Sequence, residues 1–161
     1  MTMTERRLPA LPPRKPTAAE MTVLLFLHAA LSGAFIVAQL TGDGDTYVLH
    51  QVAGYTALAA IAVRVVAGLQ APAGSPLRLP RPALSLSNQR RNPIYAWMAA
   101  ILLVVVGAAA VTGAISDALA AVEHLHEAIG EFSLPIVIGH VALVPLLQAL
   151  KHTPKPEVRT P

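Results

Sequence analysis

The sequence predicts an all-α integral membrane fold, a four-helix bundle running up-down-up-down with both termini on the cytoplasmic side. Three observations predict it. Apolar residues make up 54% of the 161 residues and gather in four long blocks instead of following an amphipathic period. Only 13% of the residues are charged, too few to cover a soluble domain of this size. The Lys and Arg residues cluster at alternate ends of the apolar blocks.

Residues 1–20 are polar and carry Pro9, Pro12, Pro13 and Pro16, which predicts a disordered cytoplasmic tail. The first apolar block runs from about Met21 to Leu40 and stops at Thr41-Gly42, glycine being a good helix terminator. About 20 helical residues cross about 30 Å of hydrocarbon, so this block can span. It is too long for the apolar part of a signal peptide and contains a histidine. The second block runs from about Tyr47 to Leu69. A connection rich in proline and arginine, 70–92, follows and is placed at the membrane surface. The third block runs from about Pro93 to Ser116 and holds a second Thr-Gly pair, Thr112-Gly113. The fourth runs from about Val122 to Leu150, with Pro135 and Pro145 expected to bend it. Residues 151–161 form a second cytoplasmic tail. The chain is thus one membrane domain, 21–150, between two tails.

Charge sets the orientation. Arg6, Arg7, Arg14 and Lys15 precede the first block; Arg78, Arg81, Arg90 and Arg91 lie between the second and third; Lys151, Lys155 and Arg159 follow the fourth. The other two connections carry Asp43, Asp45, Asp117 and Glu123 and no Lys or Arg. The positive-inside rule then puts both termini in the cytoplasm. The net charge of +3 and pI near 9.7 belong to this membrane-surface pattern, and nucleic acid is not expected as a partner. The chain has no cysteine, which excludes disulfides, thiolate iron–sulfur ligation and covalent c-type haem attachment.

Four of the six histidines, His28, His50, His126 and His140, lie in or at the ends of the apolar blocks. An ionisable group inside a span is costly and marks function by default, although a single histidine serves equally well as a structural hydrogen-bonding group. His126 and His140 lie close to four turns apart, within roughly 40° on one face and about 21 Å along the axis. His28 lies about 10 Å from the cytoplasmic end of the first helix and His140 about 15 Å from that end of the fourth. His50 and His126 each fall in the first turn after an outer connection. The histidines therefore pair by depth, His28 with His140 inside and His50 with His126 outside. Two imidazoles at one depth on facing helices can clamp a haem between them as axial ligands. His124 points to nearly the opposite face from His140 and is read as interfacial.

Gly54, Gly130 and Ser32 follow His50, His126 and His28 by four residues and would leave room for a macrocycle; close helix packing uses the same small residues. His140 lacks such a neighbour, with Ile136 in that place and Gly139 beside it. Arg64 shares the face of His50 nearer the cytoplasm, where it either meets an anionic haem propionate or snorkels to the surface. Glu131 is read as a proton carrier or an outer-end charge. Tyr55, Tyr95 and Trp97 are read as belt aromatics before edges of a quinone pocket.

These residues resemble the bacterial cytochrome b-561 family and the b-type cytochrome subunit of nickel–iron hydrogenases. The resemblance rests on His28 and the Thr41-Gly42 end, on the run from His50 to Gly54 with Arg64 beyond it, and on Leu125, His126 and Glu127 with His140, over about residues 20–150. It implies two b-type haems with bis-histidine ligation, His28 and His140 for the inner iron and His50 and His126 for the outer. It implies transmembrane electron transfer with a quinone or a redox protein, in a bacterial inner membrane. It leaves open whether the chain stands alone, forms a homodimer or joins a larger respiratory complex. The outer connections are shorter than in the hydrogenase subunit. Two rivals remain. A small transporter would place a carboxylate near mid-membrane, and the first three helices have none in their apolar cores. A cofactor-free structural subunit would have no need of two histidine levels. Two histidines per level are thin coordination for zinc.

Overall fold

The structure is a computed structural model that describes residues 14–82 and 93–151. Four helices make it up: α1 (Ala18–Leu40), α2 (Tyr47–Gln70), α3 (Pro93–Ser116) and α4 (Glu123–Lys151). Short 3₁₀ turns, Gly44–Thr46 and Ala120–Val122, lead into α2 and α4, and there is no strand among the described residues. All four helices are long and apolar enough to cross a membrane.

Helix ends follow local chemistry more closely than hydropathy. α1 begins at Ala18, ahead of the apolar block, because Thr17 and Glu20 form a capping box. The Glu20 backbone N–H donates to the Thr17 hydroxyl at 3.2 Å, and the Thr17 N–H donates to the Glu20 carboxylate at 2.8 Å. Arg14 pairs with the same carboxylate at 2.9 Å, so residues 14–20, read from the sequence as tail, include the cap of α1. Residues 1–13 and 152–161, the rest of the predicted tails, lie outside the described residues. α1 stops at Thr41 as expected, by a different device. The Thr41 hydroxyl donates to the Val37 carbonyl at 2.6 Å, while Gly42 keeps an ordinary backbone. The second Thr-Gly pair terminates nothing: α3 runs through Thr112 and Gly113 to Ser116. α4 stays helical through Pro135 and Pro145.

In hydrocarbon there is little hydrophobic force between helices, so close packing and hydrogen bonds must join them. α1 packs along α2, α2 against α3, and α3 along α4. Small buried residues, Ala34, Ala53, Ala57 and Ala60, permit the close approach. A compact core of Phe35, Ile61 and Val106 sits between the helices, with Leu31, Leu103 and Val137 around it. Large apolar side chains such as Phe26, Leu40, Val48, Val104 and Val141 face outward. α1 also reaches α4 through the Gln39 side chain. The Gln39 amide donates to the Gly130 carbonyl at 3.3 Å and to the fully buried Ser133 hydroxyl at 3.4 Å.

One carboxylate lashes the α3–α4 connection to α2. Asp117 accepts from Tyr47 and Gln51 at 3.1 Å each and from Tyr55 at 2.6 Å, three donors on one stripe of α2. The Tyr55 hydroxyl, then the Gln51 amide and the Tyr47 hydroxyl, hold the Asp117 carboxyl below the usual carboxylate range. A carboxyl lowered on folding stabilises the fold above its unfolded value, about pH 4, and stops doing so as pH falls through its folded value. Asp117→Asn should therefore lower the thermal midpoint in detergent at neutral pH. The gap to the unaltered protein should close as the pH is taken below about 4. A gap that stays constant with pH would mean that the carboxylate's charge contributes nothing.

Candidate functional site

The helices bring four histidines together in two pairs. His28 of α1 and His140 of α4 have ring centroids 6.3 Å apart with planes at 72°. His50 of α2 and His126 of α4 have centroids 6.0 Å apart with planes at 68°. α4 contributes one ring to each pair, and α3 contributes none. His124 stands outside both: its side chain is 96% exposed and lies 3.7 Å from Glu127. Two imidazoles on opposite sides of one metal atom, with bonds of about 2 Å and nitrogens about 1 Å from each ring centre, have centroids about 6 Å apart. Direct edge-to-face contact falls in the same range, so spacing alone does not separate the two arrangements.

Ring chemistry and space add to the spacing. His50 Nδ1 lies 2.9 Å from the Ala38 carbonyl of α1. His126 Nδ1 lies 3.1 Å from the Ala109 carbonyl of α3. A carbonyl can only accept, so each Nδ1 is the donor; in the neutral ring Nε2 then holds the lone pair, the form that ligates metal. Tyr47 stacks on His50 with centroids 6.4 Å apart. In the other pair, His140 Nδ1 is buried with no hydrogen-bond partner among the described residues. Leaving such a group unsatisfied costs about 1–3 kcal/mol.

A cavity of 340 Å³ opens beside His28 and His140. All four helices line it, among others with Ser32 and Phe35, Arg64, Leu103 and Val106, and Val137. Its walls are mostly apolar, with the two imidazoles, Ser32 and Arg64 as the polar groups among the helix side chains named. Gly54 and Gly130 face open space, with no atom within 4 Å of where a Cβ would stand, and the same holds for Gly139. Among the described residues no group of three or more His, Asp or Glu could hold a metal ion. A metal that brings its own planar nitrogens needs only two protein ligands.

Arg64 lines the cavity and reaches the α2–α3 connection. Its guanidinium donates to the Leu77 carbonyl and, at 3.3 Å, to the Arg78 carbonyl. Gly68 makes room: a Cβ there would stand 2.9 Å from Arg64 Nη1 and 2.8 Å from Leu79. The connection turns at Gly74, whose φ of 85° suits glycine, and at buried Ser75, whose carbonyl accepts from Arg78 at 3.2 Å. No ion pair of Arg64 exists among the described residues. The other suggested polar sites lie apart from the cavity. Glu131 is exposed on α4, Trp97 is exposed on α3, and Tyr55 is engaged by Asp117. Tyr55 also edges a shallow furrow on the outward face of α2 with Gln51 and Thr56, far more open than the cavity and without a histidine. The sequence reading missed the carbonyls of Ala38 and Ala109, which carry no residue signature, and the Asp117 lash, whose donors recur every four residues.

Arg64→Met should loosen the connection. Losing two charged hydrogen bonds, about 1.5 kcal/mol or more each, is worth at least a roughly tenfold shift in local opening. Limited trypsinolysis at Arg78 should accelerate by at least that factor, since cleavage follows the open population. An unchanged rate would show that Arg64 does not hold the segment. In comparisons with known proteins, the chain matches no family model, no curated protein and no solved structure.

Proposed function

We propose that this chain carries electrons across a bacterial cytoplasmic membrane with two b-type haems, His28 and His140 holding the inner one and His50 and His126 the outer. The observation that carries the reading is two imidazole pairs with nearly equal centroid spacing, 6.3 and 6.0 Å, at two levels of helices apolar enough to span. A haem iron with two imidazole ligands has no open position and exchanges single electrons instead of binding oxygen.

The chain's own residues fit such a guest. The Ala38 and Ala109 carbonyls fix the protons of His50 and His126 on Nδ1 and free Nε2 for the iron. Phe35, Leu103, Val106 and Val137 give the inner cavity apolar walls suited to a macrocycle. Arg64 uses two of its donors on loop carbonyls and has further N–H groups for an acidic edge. Gly54 and Gly130 leave clearance one turn from the outer ligands.

The run of basic residues at Arg14, Lys15, Arg78 and Arg81, against Asp43, Asp45, Asp117 and Glu123 at the other end, supports cytoplasmic termini and an up-down-up-down path. The histidine order supports kinship with the cytochrome b-561 family, and with it a quinone or a redox protein as the exchange partner.

A pyridine haemochrome assay on detergent-purified protein should find about two non-covalent b haems per chain. His28→Ala or His50→Ala should each lower that to one. Folded protein that stays colourless when expressed with ample haem would overturn the reading in favour of a structural or transport subunit.

A further inference from the structure

α3 supplies no ligand, yet it meets the His126 ring at three successive places. The Ala109 carbonyl takes the Nδ1 proton at 3.1 Å. The Thr112 hydroxyl lies 3.4 Å from the same nitrogen and is itself anchored on the Ala108 carbonyl at 2.7 Å. Gly113 lies under the ring: a Cβ there would stand 2.9 Å from Cε1, 3.3 Å from Nδ1 and 3.4 Å from Nε2. The first distance is shorter than real side chains tolerate, and an imidazole held by a backbone hydrogen bond cannot swing aside without losing it.

Gly113 has no other local reason to be glycine. Its backbone is ordinary, and α3 continues past it to Ser116, so it is not a cap. Alanine is the better helix former at an interior position. Gly107 on the same helix shows the contrast, since a Cβ there would meet only Ile61 at 3.9 Å, an ordinary contact.

We propose that α3 is the positioning element of the outer site, with Gly113 opening the slot for the His126 imidazole and Ala109 and Thr112 setting its rotation and tautomer. The inference rests on the di-haem reading. Gly113 is then a positioning residue: it aims Nε2 at the iron without touching it. α3 gives the inner pair only apolar cavity wall, so a change at Gly113 acts on one level alone.

The test uses full-length Gly113→Ala, Thr112→Val and, as a control, Gly107→Ala. For each, haem per chain is measured together with the low-spin ferric EPR spectrum, which reports ligand-plane orientation. Gly113→Ala should fall from two haems to one, or keep two with the outer signal shifted and the inner signal unchanged; the retained inner haem reports correct folding. Thr112→Val, which removes only the hydroxyl, should keep two haems and shift the outer signal. Gly107→Ala should match the unaltered protein. Two haems with unaltered spectra in both Gly113→Ala and Thr112→Val would overturn the proposal, and so would equal loss in Gly107→Ala. If the unaltered protein binds no haem, the di-haem reading falls by itself. The seat is then tested by ¹⁵N shifts of the His126 ring, which should report the Nδ1–H tautomer in the unaltered protein and a changed population in Gly113→Ala. Identical ring shifts in the two proteins would overturn the seat as well.

Discussion

A polar side chain inside an apolar helix bundle must find a partner within the protein, because hydrocarbon offers none. The interior follows from that constraint. His50 and His126 bond to carbonyls of neighbouring helices. Gln39 and Ser133 share the Gly130 carbonyl. Thr41, Thr56 and Thr112 return their hydroxyls to their own helices one turn back. Arg64 satisfies its charge on two carbonyls of the following connection. Backbone carbonyls thus serve as the common acceptor. Among the described residues, His140 Nδ1 is the buried side-chain atom left without a partner, and it lies beside the cavity.

Much of this was legible in the sequence. Apolar run length located all four helices, because nothing shorter spans and little else needs so many apolar residues in a row. Turn arithmetic on α4 brought out the two levels, since positions fourteen apart return to nearly one face. The start of α1 was legible in principle: Thr17 and Glu20 have the capping-box spacing, although they lie ahead of the apolar block. The Thr112-Gly113 pair shows a harder limit. The same dipeptide closes α1 at Thr41-Gly42 and carries the His126 ring in α3, and only the neighbour in space tells the two apart. Carbonyl partners were beyond reach, since every residue has one.

The two levels are built differently. The His50–His126 level is clamped by backbone hydrogen bonds and an aromatic stack at the end where Asp117 ties the helices. The His28–His140 level has a wide apolar cavity, and the Arg64-anchored connection lies beyond it. Rigidity is therefore concentrated at one end and internal volume at the other. On the di-haem proposal the two levels would differ in potential, because ligand hydrogen bonding is one of the levers by which a protein sets it.

α4 is the one element that takes part in both pairs, and this makes it a ruler. The separation of His126 and His140 is set by helical rise, about 21 Å, and not by how tightly the other helices pack. Their common facing depends on a near-whole number of turns. One residue added or removed between them would rotate one ring by about 100° away from its partner. A change of four residues would nearly restore the facing but move the level by about 6 Å, out of line with α1 or α2. The stretch between the two histidines is thus the part of the chain least able to change length, even where its individual side chains face outward.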